Sequence, residues 1–277
     1  EVNRNRCNDG YYRPFKADLK TNARRSASRR NAQFGADDYA LVRQYLKQDW
    51  SPEQVSGHLR LSNQLAISHE TIYQHIWADK KDCGELYKHL RGAKKKRRKR
   101  YGAYDSRGRL AGKRPIDGRP SAINERSEFG HWEIDLVHGK GSKDCIVTLV
   151  ERKTRYTLIG KMTCKTKEQT NSRTLKLIAP RENSFKTITA DNGTEFHGFA
   201  DIEEKANLQF YFAKPYHSWE RGTNENTNGL IRQYLPRQKS MALVTQAKCN
   251  SIARKLNTRP RKILNFQTPE EAYNAHL

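Results

Sequence analysis

His131-Trp132-Glu133-Ile134-Asp135-Leu136-Val137 (HWEIDLV) alternates without a break. Trp132, Ile134 and Leu136 fall on one face and Glu133, Asp135 and Val137 on the other, and a period of two predicts a strand. A carboxylate inside a strand is costly to bury unless it is paired. The pattern alone leaves open whether Glu133 or Asp135 carries chemistry. Working outward, residues 145–150 (CIVTLV) read as a second, buried strand and 155–159 (RYTLI) as a third. A helix follows over 165–177, a fourth strand over 185–190 (FKTITA) and a fifth over 208–212 (LQFYF). Strands joined first as hairpins and then through helices predict a mixed five-stranded α/β sheet with flanking helices.

The fourth strand delivers Asp191 at its C-terminal end, where Asn192-Gly193 forces a sharp exit. Taken alone, Asp191-Asn192-Gly193 is also a common turn. A third acid, Glu225, lies in a run over 223–229 (TNENTNG) with poor helix propensity, which by itself reads as a polar loop. Acids on one strand, at the end of another and on a later segment can converge above such a sheet. Two hard cations held by carboxylates about 3.5–4 Å apart activate an attacking oxygen and stabilise a leaving one in phosphoryl transfer. Carboxylates alone suit Mg²⁺ or Mn²⁺, with no need of His or Cys. His69-Glu70 and His75 superficially resemble a zinc helix motif, but a six-residue spacing puts the two imidazoles on different faces.

Charge supports a phosphate partner. The 277 residues carry 53 Lys+Arg against 30 Asp+Glu, a formal charge of +23. The excess is +14 over residues 1–130 and +9 over 131–277, so it is not confined to a tail. Binding a polyanion releases its counterions, which makes nucleic acid the natural partner; charge does not separate DNA from RNA. No apolar run approaches the roughly 20 residues of a membrane span, and no secretory apolar region opens the chain. Five scattered cysteines without a CxxC pair point away from a zinc ribbon or disulfide framework and towards reduced thiols in the cytoplasm.

Four segments follow. Residues 1–35 are basic, with only a weak helical pattern in Leu19, Ala23 and Ala27; 36–90 read as a helical unit; 91–127 form a basic linker; 128–277 hold the sheet and the acids. In the helical unit Tyr39, Val42, Tyr45 and Leu46 recur at helical spacing. Ser51-Pro52-Glu53-Gln54 combines an N-cap, a first-turn proline and a capping-box partner. Val55 and Leu59 supply the inner face of that helix. Ser68 caps a third helix whose inner face is Ile72 and Ile76, leaving His69, Glu70, Tyr73 and Gln74 outward near its start. Such helices fit a helix-turn-helix with those four residues facing DNA, or equally a three-helix protein-interaction module. The linker holds the run Lys94, Lys95, Lys96, Arg97, Arg98, Lys99 and Arg100, an arm suited to tracking phosphates and adding affinity without sequence choice.

The order HWEIDLV, TADNGTEF, PYHSWERGTNENTNGLIRQYLP resembles the DDE transposases of bacterial insertion sequences, most closely the group named for insertion sequence thirty. The resemblance is dense over 131–277 and looser at Ser51 and 67–77. It implies an RNase H-like integrase catalytic core holding two Mg²⁺ ions, for which Mn²⁺ substitutes. By block, Asp135 and Asp191 match the family's two catalytic Asp residues and Glu225 its Glu, with 33 residues between the last two. Arg221, four before Glu225, and Arg232, seven after, would share one side of a helix. With His217 and Asn192 they are candidates to steady phosphate or water. Ser218 stands where a Tyr is expected, with Tyr216 nearby, and Arg232 replaces a commoner Lys. The implied partners are double-stranded DNA, as terminal inverted repeats and target, and further copies of the chain assembled on it. The implied location is the bacterial cytoplasm, at the nucleoid when bound. The family begins with a further helix-turn-helix, and Glu1-Val2-Asn3-Arg4-Asn5 resembles its tail, so residues 1–35 read as its remnant. The expected activity is metal-dependent strand cleavage and strand transfer. A regulator that keeps the fold without catalysis, and a metal-dependent nuclease without strand transfer, are the alternatives.

Overall fold

The structure is a computed structural model that describes residues 2–28, 34–91, 113–214 and 217–277. It divides into two compact units, Glu1–Tyr45 and Leu46–Leu277. The first contains α1 (Val2–Asn5), α2 (Pro14–Ser28) and most of α3 (Ala36–Lys47). The weak pattern around Leu19 does form a helix, although Leu19 remains 53% exposed. A bond from Lys20 Nζ to the Arg6 carbonyl (2.7 Å) and a second from Arg24 to Asn5 hold α2 against the segment before it. Among the described residues no helix is long and apolar enough to cross a membrane.

In the second unit, α4 (Pro52–Leu61) and α5 (His69–Lys81) begin as their sequences predict. Ser51 Oγ accepts from Gln54 N–H and Gln54 Oε1 accepts from Ser51 N–H (2.9 Å), a complete capping box. Ser68 Oγ accepts from Thr71 N–H. Val55, Leu59, Ile72 and Ile76 are fully buried. The pair is fastened to the C-terminal part of the same unit. Gln54 Nε2 donates to the Pro260 carbonyl (2.8 Å), and Lys262 pairs with Glu53. Gly57 leaves the space that the Phe266 ring fills, since a Cβ there would lie 2.2 Å from a ring carbon.

After α6 (Ser121–Glu125) come β1 (His131–His138), β2 (Cys145–Glu151), β3 (Thr157–Met162), α7 (Lys167–Ile178), β4 (Thr187–Ala190), α8 (Phe199–Ala206) and β5 (Gln209–Phe212). Then follow α9 (Gly222–Tyr234), α10 (Gln246–Asn257) and α11 (Pro269–Asn274). The strands form one sheet in the order β3-β2-β1-β4-β5. β1–β2 and β2–β3 are antiparallel; β1–β4 and β4–β5 are parallel. This is the expected mixed sheet. β3 starts two residues later than the apolar run suggests, because Arg155 takes a left-handed φ of 65° in the preceding turn.

The alternation in β1 sorts the core in two. Trp132, Ile134 and Leu136 pack with Ile188, Phe210 and Phe212 on the face covered by α7 and α8. Val137 packs on the opposite face with Ile146, Ile159, Leu230, Ile231 and Ile252, beneath α9 and α10. Trp132 stacks on Phe185 at 4.2 Å and donates its indole N–H to the Ser184 carbonyl.

Candidate active site

Residues 223–229, which read alone as a polar loop, are helical. The reason is tertiary. Arg221 at the N-cap gives α9 no side-chain cap. Instead Glu133, 91 residues away in sequence, accepts the Asn224 N–H at 2.9 Å. A carboxylate at a helix N-terminus satisfies an orphan donor and meets the positive end of the helix dipole. Leu230 and Ile231 then bury the far end of the helix. Glu133 is fully buried and is paired with Arg152, whose side chain is 5% exposed. Arg152 Nε also donates to the Ile123 carbonyl. Both Glu133 oxygens are thus engaged, one by the Arg152 guanidinium and the other by the first turn of α9.

Two residues further along the same face, Asp135 accepts from Asn228 Nδ2 at 2.6 Å. Two strand residues advance about 6.6 Å and four helix residues about 6 Å, so successive β1 side chains meet successive turns of α9. Glu133 meets Asn224, Asp135 meets Asn228, and Val137 joins Leu230 and Ile231. Asn228 is a functional candidate that sequence reasoning missed; its only signal is its place one turn beyond Asn224.

Asp191 leaves the end of β4 as predicted. Its Oδ1 accepts the Gly193 N–H (2.8 Å), so the turn itself orients the carboxylate. Its Oδ2 faces Arg221 Nη2 at 3.2 Å, while Arg221 Nη1 lies 3.4 Å from Asp135 Oδ1 and donates to the Ile134 carbonyl. One guanidinium thus joins acids from two strands. Burial pushes the Asp135 carboxyl above its ordinary pKa and the Asp191 charge adds to that, while Arg221 pulls the other way. Glu225, in the first turn of α9, lines a cavity of about 980 Å³ together with Asp135, Arg221, Asn228 and Arg232. Arg232 has its pKa lowered by burial and by Arg237, with Asp135 opposing.

Other predicted residues lie around this centre. Asn192 Nδ2 donates to the Ala213 carbonyl (2.7 Å) and its Oδ1 accepts from Lys113, tying the end of β4 to the segment after β5. His217 is half-buried in the turn that leads into α9, where its carbonyl accepts the Glu220 N–H. Glu195 is buried and paired with Lys165 at 3.0 Å. On α5, His69, Glu70 and Gln74 are exposed and Tyr73 is half-buried. Tyr216 and the run Lys94, Lys95, Lys96, Arg97, Arg98, Lys99 and Arg100 lie outside the described residues. The side chain of Ser218 is likewise not described.

Among the described residues no three His, Cys, Asp or Glu side chains are gathered closely enough to hold a metal ion. The donor chemistry nonetheless fits a hard divalent cation. Asp135 and Asp191 already share one cationic partner, and Glu225 faces the same cavity as Asp135.

The integrase core domain family matches residues 125–218, a span that includes Asp135 and Asp191 and stops before Glu225. The transposase for insertion sequence element IS4351 of Bacteroides fragilis is 40% identical over 99% of this chain and 84% of its own length. The transposase for insertion sequence element IS1086 of Cupriavidus metallidurans is 36% identical over 97% of this chain and 82% of its own length. Transposase InsI for insertion sequence element IS30A of Escherichia coli is 38% identical over 83% of this chain and 63% of its own length.

Proposed function

The chain belongs to the insertion-sequence transposases of the IS30 type, DDE enzymes with an integrase core, and from that premise we propose that it binds the ends of its element as double-stranded DNA and catalyses Mg²⁺-dependent strand cleavage and strand transfer into target DNA. The observation that carries this reading is the meeting of Asp135 and Asp191, from separate strands, on Arg221 beside a cavity that Glu225 also lines.

Asp135, Asp191 and Glu225 would hold two Mg²⁺ ions, with Mn²⁺ as a substitute. When bound, the ions supply Lewis-acid activation of the attacking oxygen and stabilisation of the leaving one. The chain's own residues prepare the donors. Asn228 fixes one oxygen of Asp135, the Gly193 amide fixes one oxygen of Asp191, and Glu133 sets the start of the helix that carries Glu225. Arg221, lying between the two Asp carboxylates, offsets part of their mutual repulsion. Arg232, on the cavity wall, would bind backbone phosphate through its planar fork. The outward residues of α5 and the basic run after residue 93 would hold the rest of the duplex, with several copies of the chain assembled on DNA in the cytoplasm.

Asp191→Asn tests the assignment, with Mg²⁺ and duplexes carrying the element's terminal repeats. Strand cleavage and strand joining are expected to vanish while binding survives in gel-shift titration; cleavage at the wild-type rate would overturn it.

A further inference from the structure

Gly229 stands in the middle of α9, where glycine is among the poorest helix formers. A Cβ at this position would lie 3.0 Å from Nη2 of Arg91. The helix therefore gives up a side chain where an arginine from elsewhere in the chain lies on its surface. Gly229 is one turn beyond Glu225, and Arg91 lines the same cavity as Asp135, Glu225 and Arg232.

Arg91 is brought there by a fixed approach. Leu86 is buried, and His89 Nδ1 is 2.9 Å from Asp49, which also pairs with Lys255 of α10. Gln233 of α9 reaches the His89 carbonyl at 3.5 Å. Lys88 and Arg237 line the cavity as well, so its wall combines two acids with a row of cations. A guanidinium at such a wall, with no carboxylate in an ion pair with it among the described contacts, is suited to the paired oxygens of a phosphodiester.

We propose that Arg91 is a phosphate-binding residue of the active site, supplied by the segment that follows the α4–α5 helices and admitted by the missing side chain at Gly229. It would hold a backbone phosphate of the strand being cut and so set the register of that strand against Asp135 and Glu225. The proposal rests on the reading of this cavity as the strand-cleavage site.

The test uses the full chain, duplexes carrying the element's ends, and three forms: wild type, Arg91→Ala and Gly229→Leu. Leucine favours the helix and fills the space where the guanidinium lies, whereas alanine would let the flexible arginine tip swing aside. Loss of one phosphate contact should lower the slope of log Kd against log salt by about 1 in both variants. Single-turnover cleavage with Mg²⁺ should slow by about tenfold to a hundredfold, as expected when a strand is misplaced by about 1 Å. Slopes equal to wild type in both variants would overturn the proposal, and an effect in Arg91→Ala alone would overturn admission through Gly229. The binding slope does not require turnover. Failure of wild type to cleave would count against the reading of the site, while variants that cleave and bind like wild type would count against Arg91 alone.

Discussion

Glu133 and Asp135 share a strand, a face and a neighbouring helix, and their settings are opposite. At the Glu133 end of the β1–α9 seam the carboxylate is fully buried, matched by Arg152 and hydrogen-bonded to the start of the helix. At the Asp135 end the carboxylate is a quarter exposed, opens onto a cavity and shares Arg221 with Asp191. The first acid is neutralised where it stands. The second faces a cavity that Glu225 also lines, with Arg221 between it and Asp191. The two carboxylates differ in how far the chain itself satisfies them.

The comparison can be broken most severely at its open end. Asp135→Asn and Glu225→Gln should each lower Mg²⁺-dependent cleavage by about a thousandfold or more, the loss of several kcal/mol of charge stabilisation. Their thermal midpoints should stay near that of wild type in calorimetry. At the closed end the expected loss is in folding. Arg152→Met leaves Glu133 charged and unmatched in the interior and should destabilise the fold by about 3–5 kcal/mol in urea titration. Adding Glu133→Gln should recover most of that; a single variant as stable as wild type would show that Glu133 is not held by Arg152. The smallest effect is expected between the two ends. Asn228→Ala removes one hydrogen bond from Asp135, and kcat should fall by about tenfold, with stability changed by about 1 kcal/mol or less. A loss as large as that of Asp135→Asn would place Asn228 among the essential groups.

Much of this was legible in sequence, for reasons that can be named. HWEIDLV gives its strand and both its faces because the period of two survives burial on each side. Ser51 and Gln54 form their box because its partners are local. The family blocks point to Asp135, Asp191 and Glu225. Asp135 and Asp191 meet on Arg221, and Glu225 lines the cavity beside Asp135. What was not legible depends on remote partners. The α9 segment has little intrinsic reason to be a helix, and its cap comes from a different strand. Arg152, Asn228 and Arg91 acquire their positions only when β1, α9 and the segment after α5 come together. No periodicity in the sequence marks them.

The pairing of β1 with α9 also bears on how this chain can change over time. Its unit of register is two strand residues against one helical turn, so point substitutions alter one rung at a time and leave the others in place. A deletion of one residue between Glu133 and Asp135 would turn every later side chain of the strand to the opposite face. It would carry Asp135 into the apolar layer around Phe210 and send Leu136 towards the cavity. The six-residue connection from Gly139 to Asp144 has no such frame to keep, since it lies outside both strands. Length variation in descendants of this sequence is therefore expected to gather in that hairpin and to be absent from the seam.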